Sequence, residues 1–225
     1  MYVLNDPPPQ IDPALIAILL QAEPATIGHV RHLGFMTPEI RLLLPGYRRL
    51  AGTAVTVRSY GADTSIVHYA LGKLRPGDVL VVDRSGDTRH AVCGGGVAFS
   101  AKAAGCVAII LDGPATDAQE LREYDMPVWA RGLSTVTGKP QFTFGEFCTS
   151  ISCGGVAVAP GDAILADENG VLVLKPHEIA EAAAIAVGMQ QAEKLMLARV
   201  AKGEKLPDIN GTNARIAEIM RAAKG

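Results

Sequence analysis

The sequence predicts a layered α/β sandwich built on a mixed β-sheet. Three observations carry that expectation. Helix-like and strand-like segments alternate through the first two thirds of the 225 residues, which is the pattern of a sheet with helices on its faces. Hydrophobic residues make up 48% and aromatics only 5%, so Ala, Val, Leu and Ile must supply the core, as they do where helices cover a buried sheet. Finally, Asn169-Gly170 between two apolar runs signals a hairpin, which adds antiparallel pairing to strands otherwise joined through helices.

Taken in order, residues 1–11 contain Pro7, Pro8 and Pro9 and should form an extended arm. Asp12-Pro13 reads as a helix cap with proline behind it, Leu15, Ile16, Leu19 and Leu20 give that helix an apolar face, and Pro24 should end it. Thr37-Pro38 resembles a second cap. The β-branched alternation of 52–58 predicts a strand, followed by a helix over about 64–74. Pro76-Gly77-Asp78 then turns into a strand at 79–82. Three glycines open a helix over 97–104, and an apolar strand at 107–111 leads through Asp112-Gly113-Pro114 to another helix beginning near Thr116. Short strands are expected at 126–130 and 149–153.

Pro160-Gly161-Asp162 and the apolar run closing at Asp167 repeat the spacing of Pro76-Gly77-Asp78 and Asp83, a reused turn-and-strand unit. Strands at 164–166 and 171–174 should meet in a type I′ turn, which needs positive φ at both central residues. A long helix over about 176–202 has Ile179, Ala183, Val187 and Leu195 on several faces, so it should pack on a neighbour. Gly203 and Pro207 break it before a short helix from Thr212. The implied organisation is an arm and helix at 1–23, an α/β domain at 24–176, and C-terminal helices at 177–225 that pack on the domain or on a neighbouring subunit.

The net charge of −2 without any basic block argues against nucleic acid as a partner. No apolar run reaches membrane-spanning length, and the first residues lack the basic start and apolar core of a secretory signal, so a cytoplasmic protein is expected. Cys93, Cys106, Cys148 and Cys153 show neither CxxC nor zinc spacing and read as reduced thiols.

Two places could carry chemistry. Gly94, Gly95 and Gly96 stand directly before a helix that starts near Val97, and bare backbone at a helix start can hold a carboxylate or phosphate. The alternative is a tight strand-to-helix turn. Neither GxGxxG nor a Gly-Lys-Ser/Thr P-loop is present. Thr116-Asp117-Ala118-Gln119 fits a capping box, yet a single carboxylate such as Asp117 also suffices for Mg²⁺, which keeps several waters. Arg84 and Arg89 lie upstream of the glycines, where either could supply a cation to an anionic ligand or simply end a strand in solvent. His29, His32, His68 and His90 have no metal-binding spacing, and Ser100 lacks GxSxG.

The succession of PGDVLVVD, a glycine loop opening an alanine-rich helix, VAIILDGPATDAQEL, DMPVWARG and GEFCTSISCGGVAVAPGDAILADENGVLVL resembles the family of 4-hydroxy-4-methyl-2-oxoglutarate aldolase and the regulator of ribonuclease activity A, across about residues 24–190. The resemblance implies an RraA-like fold of the swivelling β/β/α type, self-association into a trimer or hexamer, and a site at a subunit boundary. It further implies a lyase that uses Mg²⁺ or Mn²⁺ on a small oxo acid and yields pyruvate, by retro-aldol cleavage or oxaloacetate decarboxylation. On this reading Asp117 is the metal ligand, and Gly94, Gly95, Gly96 and Val97 bind the substrate.

Three departures stand out. Thr116 replaces the usual substrate-binding arginine, Gly95 stands where an acidic residue is common, and His29 stands where an aspartate is common. Three functions follow: the metal-dependent lyase, a catalytically silent regulator that binds protein, or an enzyme whose changed pocket is defined by Thr116, His29 and Arg89.

Overall fold

The computed structural model describes residues 1–44, 46 and 49–223. After a short strand β1 (Tyr2–Leu4), helices α1 (Pro13–Leu19) and α2 (Pro24–Ile27) lead to β2 (Arg41–Leu42) and to the long strand β3 (Leu50–Arg58). Then α3 (Ser65–Leu71), β4 (Asp78–Asp83), α4 (Gly95–Ala103), β5 (Ala108–Leu111), β6 (Pro114–Ala115), α5 (Ala118–Glu123) and β7 (Val128–Ala130) alternate. Five further strands follow β8 (Gly132–Leu133): β9 (Gly145–Phe147), β10 (Ile151–Cys153), β11 (Val156–Val158), β12 (Ala163–Asp167) and β13 (Gly170–Leu174). The chain closes with α6 (Ile179–Val200), α7 (Leu206–Ile209) and α8 (Thr212–Ala222).

β3, β4, β5 and β7 are parallel neighbours, joined through α3, α4 and α5. The far edge of β3 carries two antiparallel partners, β9 at its C-terminal end and β12 at its N-terminal end, so the sheet is mixed. Side-chain alternation divides the core accordingly. Val55, Val57, Leu80, Val82, Ile109 and Leu111 face α3, α4 and α5, while Ala54, Val79, Val81, Ile110 and Trp129 face the β10–β11 hairpin and the inner side of β12–β13. The other side of β12–β13, with Leu165 and Leu172, packs on α1, α2 and the first half of α6.

The two Pro-Gly-Asp units fold alike. Gly77 and Gly161 both have φ of +89°, and each Asp accepts from the backbone N–H three residues earlier at 2.8 Å, Asp78 from Arg75 and Asp162 from Ala159. They deliver β4 and β12 to opposite edges of β3, where Asp78 and Ala163 both pair with Thr53. Gly52 is bare because a Cβ there would lie 2.5 Å from the Gly77 carbonyl oxygen.

Several local expectations change. Asp12 does cap α1, accepting from Ala14 N at 2.8 Å, but that helix stops at Leu19 and Pro24 opens α2 at its first position, where the missing N–H costs nothing. Thr37-Pro38 starts only a single turn, because the chain must straighten at once into β2. The β12–β13 turn holds Glu168 and Asn169 between paired Asp167 and Gly170. Neither has positive φ, so it is not type I′; Asp167 Oδ1 instead accepts from Asn169 N at 2.8 Å. The arm is tied down, with β1 running parallel to β9. Ile179, Ala183 and Ala186 of α6 are buried, but Leu195 is 73% exposed and α8 buries none of its residues.

A buried carboxylate orders the loop between β8 and β9. Asp63 Oδ1 accepts from Ser65 N, Ser65 Oγ and Gln141 N, and Oδ2 accepts from Thr143 N and Thr143 Oγ1, all between 2.5 and 3.0 Å. Burial alone would raise its pKa, but the Ser65 and Thr143 hydrogen bonds outweigh it and hold the carboxyl far below the ordinary range. A depressed folded-state pKa means its stabilisation is complete above the unfolded value, near 4, and is lost as pH falls below it. Asp63→Asn should therefore cost ~3 kcal/mol in urea unfolding at pH 7, with the gap to wild type beginning to narrow only as pH falls below about 4.

Candidate functional site

A cleft of about 370 Å³ opens beyond the C-terminal ends of the parallel strands, where loops after each strand converge. Its walls begin with the chain leaving β4. Arg84 is fully buried, donating from Nη1 to Ser59 Oγ at 2.7 Å and from Nη2 to the carbonyls of Gly61 at 2.5 Å and His90 at 3.2 Å. Asp87 accepts from Arg89 N and His90 N; burial works against its ionisation, but these bonds prevail and set its carboxyl at about 2. Ala91 then bridges to Thr137, and Gly138 N donates to Ala91 O at 2.8 Å, which fixes the opposite wall.

The glycines do not serve positive φ, since none of Gly94, Gly95 and Gly96 has it. They serve close approach. A Cβ on Gly94 would lie 2.2 Å from Asp117 Oδ2, and one on Gly95 would lie 1.4 Å from Glu120 Oε2, whereas Gly96 faces open space. Helix α4 starts at Gly95, two residues earlier than expected, with extended Gly94 as its cap residue. Gly95 N donates to Asp117 Oδ2 at 3.0 Å, and the N–H groups of Gly96 and Val97 have no partner among the described residues. Two free amides at the positive end of a helix thus line the cleft, a seat for one carboxylate.

The expected capping box does not form. Asp117, not Thr116, precedes α5, and it adopts left-handed φ +55°, ψ +46°, a conformation that aspartate tolerates better than most residues. Thr116 Oγ1 donates to Asp117 Oδ1 at 3.1 Å, and Gln119 turns away to Glu123. Both Asp117 oxygens are therefore held on the cleft side of α5 by single hydrogen bonds, leaving lone pairs for a cation.

The structure brings Gly94, Gly96, Val97, Thr116 and Asp117 together in the cleft lining, and Gly95 contributes its N–H to Asp117. Arg89 is exposed and outside the lining, and Arg84, buried against Ser59 and two backbone carbonyls, is neither a solvated strand end nor a cation in the cleft. His29 belongs elsewhere: it lines a hollow of about 410 Å³ with Met189, Glu193 and Met196 of α6, so Thr116, His29 and Arg89 do not define one pocket. The cleft also takes in Thr137 and Gly138, which no sequence motif marks, and Thr64 and His68, the latter set aside for want of metal-binding spacing. The signal for Thr64 and His68 was periodicity, because 64, 68 and 71 fall at helical i, i+4 and i+7 spacing on one face. Cysteine chemistry is absent from this site, as burial pushes the Cys93 thiol up to about 12 and Cys106 to about 11; all four cysteines are buried and free.

The sequence matches the family described as RraA-like, Aldolase/RraA, over residues 26–173, which contain the whole cleft. It is 31% identical over 159 residues to the 4-hydroxy-4-methyl-2-oxoglutarate aldolase of Thermus thermophilus, covering 69% of this chain and 93% of that one. Among solved structures, the RNA-processing inhibitor RraA from Thermus thermophilis superposes with a TM-score of 0.61 at 30% identity, covering 68% of this chain and 93% of that one. Streptomyces coelicolor RraAS2 shares the fold at a TM-score of 0.74 and 24% identity, over 84% and 99% of the two chains. Matched over residues 26–173, the chain belongs to the RraA-like family.

Proposed function

We propose that this protein is a divalent-metal-dependent carbon–carbon lyase that releases pyruvate from 2-oxo acids. One observation carries the reading: a free carboxylate-binding amide pair, Gly96 and Val97, and an aspartate with spare lone pairs, Asp117, line the same cleft. No cluster of three or more His, Cys, Asp or Glu exists among the described residues. That donor set suits Mg²⁺ or Mn²⁺, since a hard cation of this kind binds through one or two carboxylates and keeps waters and substrate oxygens for the rest.

Asp117 would hold the ion, which when bound draws electron density from the substrate's keto oxygen. The Gly96 and Val97 amides take the substrate carboxylate and fix the oxo acid end-on to α4. In retro-aldol cleavage the C4 hydroxyl loses its proton to a base and its electron pair becomes the new carbonyl. The C3–C4 pair passes to C3, which then takes a proton to complete pyruvate. His68, the imidazole lining the cleft, is assigned as the base that takes the C4 hydroxyl proton. Thr116 stands where the resemblance expects arginine, so hydroxyls and amides must replace a cation there.

Similarity to a protein named as an RNA-processing inhibitor supports a second reading, a regulator that binds protein without chemistry. An apolar hollow of about 350 Å³, lined by Tyr2, Leu4, Ile66, Tyr69 and Phe142, shares His68 with the cleft, and Phe142 is 77% exposed. We assign this surface to self-association into a trimer or hexamer. No helix among the described residues is long and apolar enough to cross a membrane.

With Mg²⁺ or Mn²⁺, purified protein should release pyruvate from at least one of oxaloacetate, 4-hydroxy-4-methyl-2-oxoglutarate and 4-hydroxy-2-oxopentanoate, measured by a coupled dehydrogenase. Chelation should abolish turnover, and Asp117→Ala should lower it at least ~100-fold with loss of metal binding in calorimetry. No pyruvate from any of the three rejects the lyase. In light scattering the protein should weigh three or six times its subunit. Phe142→Asp, at a left-handed position that aspartate accepts, should dissociate it and reduce turnover.

A further inference from the structure

The cleft carries two kinds of information about its ligand, charge and hydrogen-bonding capacity. Among its described lining residues there is no lysine and no arginine; His68 is the one side chain there that can become cationic. Asp117 brings negative charge to the lining. The α4 amides can neutralise one carboxylate. A second carboxylate further along the cleft would leave water with no countercharge from this chain's described lining and with Asp117 nearby, which is a heavy desolvation cost.

The hydrogen-bonding capacity points the same way. Thr64, Ser100, Thr116 and Thr137 all line the cleft. Thr64 is 4% exposed and its Oγ1 is buried with no hydrogen-bond partner, an unmet group of the kind that a native interior rarely leaves idle. The Ser100 hydroxyl donates to Gly96 O at 2.8 Å and that of Thr116 donates to Asp117, so each still has lone pairs to accept from a ligand hydroxyl.

Resting on the lyase reading above, we propose that the substrate is a 2-oxo monocarboxylate with a neutral, hydroxylated tail, a 4-hydroxy-2-oxo acid of the sugar-acid type, and not a dicarboxylate. The single carboxylate and keto group occupy the α4 end, and the tail hydroxyls lie along Thr64, Thr116 and Thr137. Cleavage between C3 and C4 moves the C4 hydroxyl proton to a base and a proton to C3, so the products are pyruvate and a hydroxylated aldehyde with no oxidant or reductant consumed.

The test compares ligands that share one head group and differ in the tail. In the presence of Mg²⁺, calorimetry on the full chain should show 2-oxobutyrate binding at least tenfold more tightly than 2-oxoglutarate. Pyruvate release from a 4-hydroxy-2-oxo monocarboxylate, as kcat/KM, should exceed that from oxaloacetate and from 4-hydroxy-4-methyl-2-oxoglutarate at least tenfold. Thr116→Arg, which places a cation at the wall, should narrow or reverse both ratios. Tighter binding or faster cleavage of the dicarboxylates by the wild-type protein overturns the proposal while leaving the lyase reading intact. Absence of 2-oxo acid binding and of pyruvate from every substrate overturns both. The wild-type ratios decide the matter even if Thr116→Arg fails to fold.

Discussion

The close approach of two helix starts is the constraint on which the site depends. With no side chain at Gly94 or Gly95, the first turn of α5 comes down onto the first turn of α4, and Asp117 reaches the Gly95 amide. One consequence is electrostatic. Asp117 satisfies one of the helix's orphan amides and leaves the next two, Gly96 and Val97, facing the cleft. The other is geometric. Asp117 is held in a left-handed conformation with its carboxylate beside the amide seat, so a group for cations and a group for anions stand on neighbouring turns. An alanine at position 94 or 95 would have to displace a carboxylate before either could form.

The walls around that pair are loops, and loops cannot be fixed by apolar burial alone because their backbone polar groups need partners. Here buried charges supply the partners. Arg84 binds the carbonyls of two separate loops, and Asp63 collects five hydrogen bonds from residues 65, 141 and 143. A buried charge is costly unless fully surrounded by donors or acceptors, so each such group also specifies where its loop must lie. Asp63 sits next to Thr64 and close in space to Lys139, one residue beyond Gly138, which makes the position of the cleft wall a consequence of a carboxylate that itself never lines it.

Much of this was legible in the sequence, and the exceptions have physical reasons. Apolar alternation located β3, β4 and β5, and the matching of residues 76–83 with 160–167 correctly indicated two equivalent turns. The glycine loop and Asp117 were recognised as neighbours along the chain, but the reason for the glycines was not, because a side chain arriving from another helix leaves no trace in local φ preferences. Pro24 and Thr37-Pro38 were misread because proline signals both an end and a beginning, and only the packing of α2 on α6 and the pull of β2 into the sheet decide which. Asn169-Gly170 gave the hairpin but not its turn, since Asp167 offered the backbone a competing hydrogen bond. Thr64, Thr137 and Gly138 carry no motif, and His68 reads as an isolated histidine, until the fold brings α3 and the loop at 137–138 to one cleft.

The twin delivery of β4 and β12 to the two edges of β3 has a consequence for how the chain acquires its shape. β3 finds its parallel partner about 25 residues later, but its antiparallel partners β9 and β12 lie about 90 and about 110 residues downstream, and β1 must wait for β9 at a still greater separation. Contacts of such long range close slowly, because chain entropy is lost before they repay it. On the ribosome, the parallel half can therefore assemble while one edge of β3 is still bare, and the arm stays loose until residues 145–147 emerge. The interval in which that edge is uncovered is the period when this chain is most exposed to pairing with the wrong strand.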